Sequence, residues 1–169
     1  MIPWFDRKFD FPANQNIMPS IIERLDGTGI RVRYKMERMD PSIIALRLDG
    51  KWSILDQIGH LGDLEPLWTG RLEDILRGEK VMRAADLSNT MTNNADHNSR
   101  SWHELVNIFE SMRNLTLHKL RNLNEEDAFR SCLHPRLKTP MRTLDLFTFV
   151  AEHDDHHLAT MTAFASKFR

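Results

Sequence analysis

A single cysteine, Cys132, stands in a chain of 169 residues, so no internal disulfide can form and the fold must be held by its core. That count fits a reducing compartment. No apolar run approaches the roughly 18 residues that would span a membrane, and the start, Met1-Ile-Pro-Trp-Phe-Asp-Arg-Lys, lacks the apolar stretch of a secretory signal. A cytoplasmic protein with no membrane partner is the expectation. Neither sign of charge prevails, because 23 basic and 24 acidic side chains leave a formal charge of −1. Without a broad basic field to hold phosphates, nucleic acid is not an expected partner. Internal repeats, low-complexity tracts and Gly/Ser linkers are missing too, so residues 1–169 read as one domain.

What is present is a globular balance, 41% hydrophobic and 28% charged. Residues 1–12 carry Trp4, Phe5, Phe9 and Phe11 among charges and prolines, as an irregular arm packed onto the body would. Ile17, Ile21, Ile22 and Leu25 then recur at helical spacing, interrupted near Gly27 and Gly29 and resuming over Arg31–Arg38. Asp40-Pro41 opens a short helix over 41–48. Ser53, with Asp56 three residues on, caps a long second helix whose stripe of Ile54, Ile58, Leu61, Trp68, Leu72 and Ile75 runs to Gly78. Pro66 inside it predicts a kink near Gly62. Asp86–Arg100 reads as a loop, Trp102–Leu123 as a third helix, and Asn124 caps a shorter one that ends near Cys132. Thr139-Pro140 opens the last helix, which runs to about Lys167. Strand alternation is absent. The fold class is all-α, an up-and-down four-helix bundle with helices near 14–38, 53–78, 101–122 and 140–167 and short additional helices.

The sharpest local signal is Glu152-His153-Asp154-Asp155-His156-His157. His153 and His157, four apart, place their Cβ atoms about 5–6 Å from one another on one helix face. They share it with Leu146, Val150, Met161 and Phe164, while Asp154, Asp155 and His156 fall away. Two imidazoles at this spacing can reach one ion, though such pairs also arise by chance as core or surface histidines. A third ligand must come from elsewhere. His60 shares a stripe with Leu64 and Leu67, and a bundle brings mid-helix positions of two long helices together. Alone on an apolar face, such a histidine is usually a satisfied core residue. Asp56 and Asp63 lie one turn either side of it, as a fourth ligand, as acceptors orienting the imidazole, or as solvated charges. His97 and His103 fall in or after the loop, His118 on a solvated face, His134 in a connection, and His156 on the exposed side; Cys132 reads as a small buried hydrophobe.

Lys51-Trp52-Ser53-Ile54, then Gly59-His60-Leu61-Gly62-Asp63-Leu64-Glu65, and near the C-terminus Glu152-His153-Asp154-Asp155-His156-His157-Leu158-Ala159 together resemble the DinB superfamily, most closely its YfiT-like branch. The resemblance runs from about Asn14 to Phe168. It implies a four-helix bundle, a divalent metal (zinc or nickel) held by His60, His153 and His157, frequent homodimers, and in several relatives transfer of a low-molecular-weight thiol such as bacillithiol or mycothiol onto an electrophile. Leu158-Ala159-Thr160 departs from relatives that carry Arg and Gln there. Three neutral imidazoles leave positions open for water or substrate, as catalytic sites do, and such a site should weaken below about pH 6 as imidazole protonates. Thiol S-transfer and hydrolysis both fit, with Asp63, and more remotely Asp56 or Asp154, as an aid to proton movement. A non-catalytic metal or ligand binder, and a dimer with a vestigial site, are the competing classes.

Overall fold

Ile21, Leu25, Val32 and Met36 are buried along one side of α1 (Met18–Met36), which carries Pro19 in its first turn, where a missing N–H costs little. The computed structural model describes residues 2–11 and 13–168; Met1 and Pro12, the ends of the expected arm, lie outside the described residues, as does Arg169. The expected interruption at Gly27 and Gly29 does not occur. Gly27 faces open space, and a Cβ at Gly29 would stand 2.6 Å from Glu110 Oε1, so that glycine lets a neighbouring helix approach. Packing outweighs the roughly 1 kcal/mol that each glycine costs in a helix interior.

Ser53 caps α2 (Ile54–Asp63) as its sequence requires: Asp56 N donates to Ser53 Oγ at 3.0 Å, and Ser53 N to Asp56 Oδ2 at 2.9 Å. The second long helix breaks at Leu64 and continues as α3 (Glu65–Leu76), with Pro66 in the new first turn. The break thus falls two residues beyond Gly62, where the missing Pro66 donor can be absorbed by a fresh helix start. Residues 41–45 form successive turns, with Ile43 N bonded to Asp40 O and Leu46 N to Ile43 O, in place of the expected short helix. Two short helical pieces, α4 (Thr90–Asn94) and a 3-10 turn at His97–Ser99, lie inside the expected loop, preceded by Asn89 and Asp96 in left-handed backbone that those residue types tolerate. Then come α5 (Trp102–Arg121), α6 (Glu125–Phe129) and α7 (Thr143–Ala165). Residues 140–142, expected to open the last helix, instead form β2 (Pro140–Arg142), antiparallel to β1 (Ser131–Leu133). Three-residue strands are too short to show alternation in sequence.

The all-α bundle stands as expected, and cross-helix contacts fix its directions. Arg33 of α1 bonds Glu110 of α5 while Asp26 pairs with Arg121, so those helices are antiparallel. Arg24 meets Glu152 and Lys35 meets Thr162, so α1 and α7 are parallel. Gly62 lies against Phe109, Thr69 bonds Thr116 and Lys119 pairs with Glu73, so α2–α3 and α5 are parallel as well. The order is up, down, down, up rather than plain alternation. Residues 77–101 supply the length of that crossover, running back along α2, where Thr92 and His97 meet it.

Two apolar clusters fill the bundle, one around Leu25, Trp68, Leu117 and Phe149, the other around Val32, Leu61, Phe109 and Met161. Between them lies a polar layer. Arg113 of α5 donates to Glu65 Oε1 of α3 (2.8 Å), to Asp154 Oδ2 of α7 (2.7 Å) and to the Leu25 carbonyl of α1 (3.2 Å), and Thr28 also bonds Asp154. One guanidinium therefore ties all four long helices. Asp154 does not fall away from the core as its position beside the stripe suggested; it is fully buried, bonded to Arg113.

Candidate metal centre

His60 of α2 and His153 and His157 of α7 are buried, and one nitrogen of each lies within 4.8 Å of the others'. The antiparallel packing of α2 on α7 produces this: Gln57 faces His157, and Trp68, further along, faces His153. The His153 and His157 Nε2 atoms are 3.0 Å apart. The His60 ring centroid is 5.4 Å from that of His153 and 4.9 Å from that of His157.

Surrounding residues orient the rings. Thr92 Oγ1 donates to Asp63 Oδ2 at 2.7 Å, so its lone pair accepts from His60 Nδ1 at 2.9 Å. That relay places the His60 proton on Nδ1 and leaves Nε2 with a free lone pair. The Gln57 carbonyl accepts from His157 Nδ1 and does the same for that ring. His153 Nδ1 has no partner among the described residues, so its Nε2 either donates to His157 or presents a lone pair beside the other two. Burial holds all three imidazoles neutral: it pushes His60 down to about 4, and it lowers His153 and His157 well below the ordinary value, with neighbouring imidazoles adding to the effect. Neutral nitrogen donors with two tautomers already set fit a divalent metal ion.

The three histidines form part of the wall of a cavity of about 480 Å³. Trp52 lies tilted against His60, with centroids 4.6 Å apart, and Trp4 from the N-terminal arm stands edge-on to His153 at 5.1 Å. Leu64, Leu67, Trp68 and Phe149 make the rest of the wall largely apolar, while Arg71, His134 and Arg136 stand at another part of it. The arm therefore packs on the body as expected, and it also closes one side of the cavity.

Asp63 does not hold the catalytic place expected of it. It does not line the cavity; its carboxylate accepts from Thr92 and from His97 Nε2 at 2.9 Å, so its hydrogen-bonded link to His60 runs through Thr92. A catalytic contact with reacting atoms is not what its position provides. Asp56 is spent on the Ser53 cap and on Arg47, and Asp154 on Arg113. Sequence reading missed His97, whose burial against Asp63 depends on the crossover returning to α2, and no local pattern marks it. His134 is likewise buried rather than idle in a connection, and His156 is half-buried on the cavity wall rather than exposed. His103 and His118 are exposed. Arg113 did carry a signal, since it lies on the apolar stripe of Val106, Phe109, Leu117 and Leu120.

The family model of the DinB superfamily matches residues 13–161. No curated protein matches the sequence. Among solved structures, YfiT from Bacillus subtilis, described as a probable metal-dependent hydrolase with an unusual four-helix bundle topology, superposes with a TM-score of 0.82 at 18% identity, over 96% of this chain and 93% of that one. TT2238, described as a four-helix bundle protein, superposes at 0.63 with 16% identity, over 86% of this chain and 98% of the other. At such identities the likeness establishes the fold.

Proposed function

This chain belongs to the DinB superfamily, and from that premise we propose that it is a metal-dependent enzyme for small molecules, with His60, His153 and His157 holding one divalent ion, zinc or nickel. The carrying observation is the convergence of three buried, neutral imidazoles on one wall of a cavity large enough for a ligand. Description of the structural neighbour YfiT as a probable metal-dependent hydrolase supports the same class. No helix among the described residues is long and apolar enough to cross a membrane.

The reaction proposed is transfer of a low-molecular-weight thiol onto an electrophile. Hydrolysis is the second reading, favoured by the neighbour's description. An ion held by the triad would supply an activated thiolate or hydroxide near neutral pH. The chain's own residues do the rest. Trp4, Trp52, Trp68 and Phe149 exclude water and offer flat apolar surface to a substrate. The Asp63–Thr92 relay and Gln57 hold His60 and His157 with Nε2 turned from their own anchors. His156 stands on the same wall, its ring 5.4 Å from that of His157.

Metal analysis of the purified protein, followed by turnover of a neutral electrophile with and without a panel of thiols, tests this reading. About one ion per chain and thiol-dependent loss of electrophile are expected. Product release without thiol would move the assignment to hydrolysis. Stoichiometric metal with no turnover would leave a binding protein, and absence of bound metal at neutral pH would reject the site.

A further inference from the structure

Across Trp68 from the histidine triad, the cavity holds a buried cation that bonds no carboxylate among the described residues. Arg71 of α3 is 2% exposed, yet its Nε donates to the carbonyl of Arg83 at 3.1 Å and its Nη1 lies 3.2 Å from His134 Nε2. The nearest acids are engaged elsewhere. Asp74, one turn along, is held bidentately by Arg83 at 2.9 and 2.7 Å, and Asp86, also on the cavity wall, accepts from the backbone N–H groups of Ser88 and Thr90. A buried guanidinium without a counter-ion is costly unless an anion arrives.

A second observation, independent of the first, concerns His134. Its Nδ1 accepts the backbone N–H groups of Arg136 at 3.2 Å and Leu137 at 3.1 Å, so that nitrogen carries the lone pair. Burial and the two arginines push its pKa down to about 4, so the ring is neutral and its proton sits on Nε2. Nε2–H then meets Arg71 Nη1–H: two donors face each other with no acceptor between them. One oxyanion in front of the pair would satisfy both. Arg136, stacked over Phe5 at 5.2 Å, lines the same part of the cavity.

We propose that Arg71, His134 and Arg136 form a carboxylate-binding subsite, so that the cavity takes an anionic small molecule whose reacting end lies at the histidine triad. Trp68 separates the two ends, its ring 5.6 Å from Arg71 Cζ and 5.6 Å from the His153 ring. A ligand must therefore span about one aromatic ring between its carboxylate and its reacting atom. The inference rests on the cavity being the substrate site, as proposed above. Two sources of carboxylate fit, the thiol and the electrophile.

Binding to the metal-free protein separates this inference from the fate of the metal site. 3-Phenylpropanoate and its uncharged amide, compared by calorimetry, should differ by tenfold or more in favour of the acid, the expected scale for charge-assisted hydrogen bonds. The preference should vanish in Arg71→Gln, shrink in Arg136→Gln and persist in His157→Ala. Nitrogen NMR of His134 should show the Nε2–H tautomer, with a shift on adding the acid. Equal affinity of acid and amide would overturn the subsite, as would an Nδ1–H tautomer or a preference lost in His157→Ala. Should Arg71→Gln fail to fold, the His134 response decides: a shift with the acid alone supports the subsite, and none refutes it. In the loaded enzyme, comparing N-acetylcysteine with its amide, and an acidic electrophile with its amide, assigns the carboxylate to whichever partner shows the KM difference.

Discussion

Replacing Arg113 by methionine keeps most of the side-chain volume but removes the cation shared by Glu65 and Asp154. Arg113 is 3% exposed, Glu65 1% and Asp154 0%, so neither carboxylate can turn to water when its partner goes. Breaking a buried pair in this way costs about 3–5 kcal/mol, against a total of roughly 5–15 kcal/mol for an ordinary domain. At about 2–4 °C per kcal/mol for a chain of this size, the melting midpoint should fall on the order of 10 °C. The loss should also depend on pH in a definite direction. Burial already raises Glu65 above the ordinary carboxylate range, with Arg113 holding it down; without Arg113 it rises further. A carboxyl whose folded pKa exceeds its unfolded value destabilises fully above the folded value, and the penalty disappears as pH falls to the unfolded value near 4.3. The gap between variant and wild type should therefore be widest near pH 7.5 and narrow towards pH 5. Arg113 also helps to lower the His153 pKa, so its removal eases the low-pH cost of burying that ring and narrows the gap in the same direction. Urea or thermal melts of both chains across that range measure it. A loss below about 1 kcal/mol, or a gap independent of pH, would refute the view that this ion cluster is the tie between the helices.

In His157→Ala, the metal-dependent rise in stability should mostly disappear; in wild type it should reach about 2.7 kcal/mol with free metal a hundredfold above Kd, and His156→Ala should keep it. Thermal melts with and without zinc or nickel check both, and equal rises in wild type and His157→Ala would place the ion elsewhere. Gly59→Ala should weaken metal affinity without touching a ligand, because the new Cβ would stand 2.3 Å from His97 Cγ and push that ring off Asp63, loosening the Thr92 link to His60; unchanged metal titration would count against the relay. Metal-free stability should fall as pH drops below about 6.5, since unfolded histidines take up protons that the buried, depressed ones refuse until about pH 4 in the case of His60. The slope approaches about 1.4 kcal/mol per pH unit for each such histidine, and a flat profile between pH 6.5 and 5 would contradict their burial. For the same reason, proton competition with metal in the folded chain should set in closer to pH 4 than to the value near 6 that free imidazole suggests.

Short-range chemistry was enough for much of this protein. Periodic apolar residues define the four long helical segments, Ser53 and Asp56 cap α2, Asn124 caps α6, and Pro66 forces a break within two residues of its expected place, because caps, proline and periodicity act over a single turn. The i,i+4 pair His153 and His157 was legible for that reason, and His60 through its stripe and the family resemblance. Other features depend on which helices meet and in which direction. Parallel packing of α2–α3 with α5 requires the 77–101 crossover, and that crossover brings Thr92 and His97 to Asp63 from 29 and 34 residues away. The same packing sets Arg113 between Glu65 and Asp154; the apolar stripe around Arg113 marks it as buried, but nothing local names its two partners. Arg71 and His134 come together only because the β1–β2 connection folds back beside α3. Sequence fixes a side chain's face through local periodicity; whether a charge on that face finds a partner, or stands in a cavity without one, is decided by tertiary contacts whose burial cost no local pattern encodes.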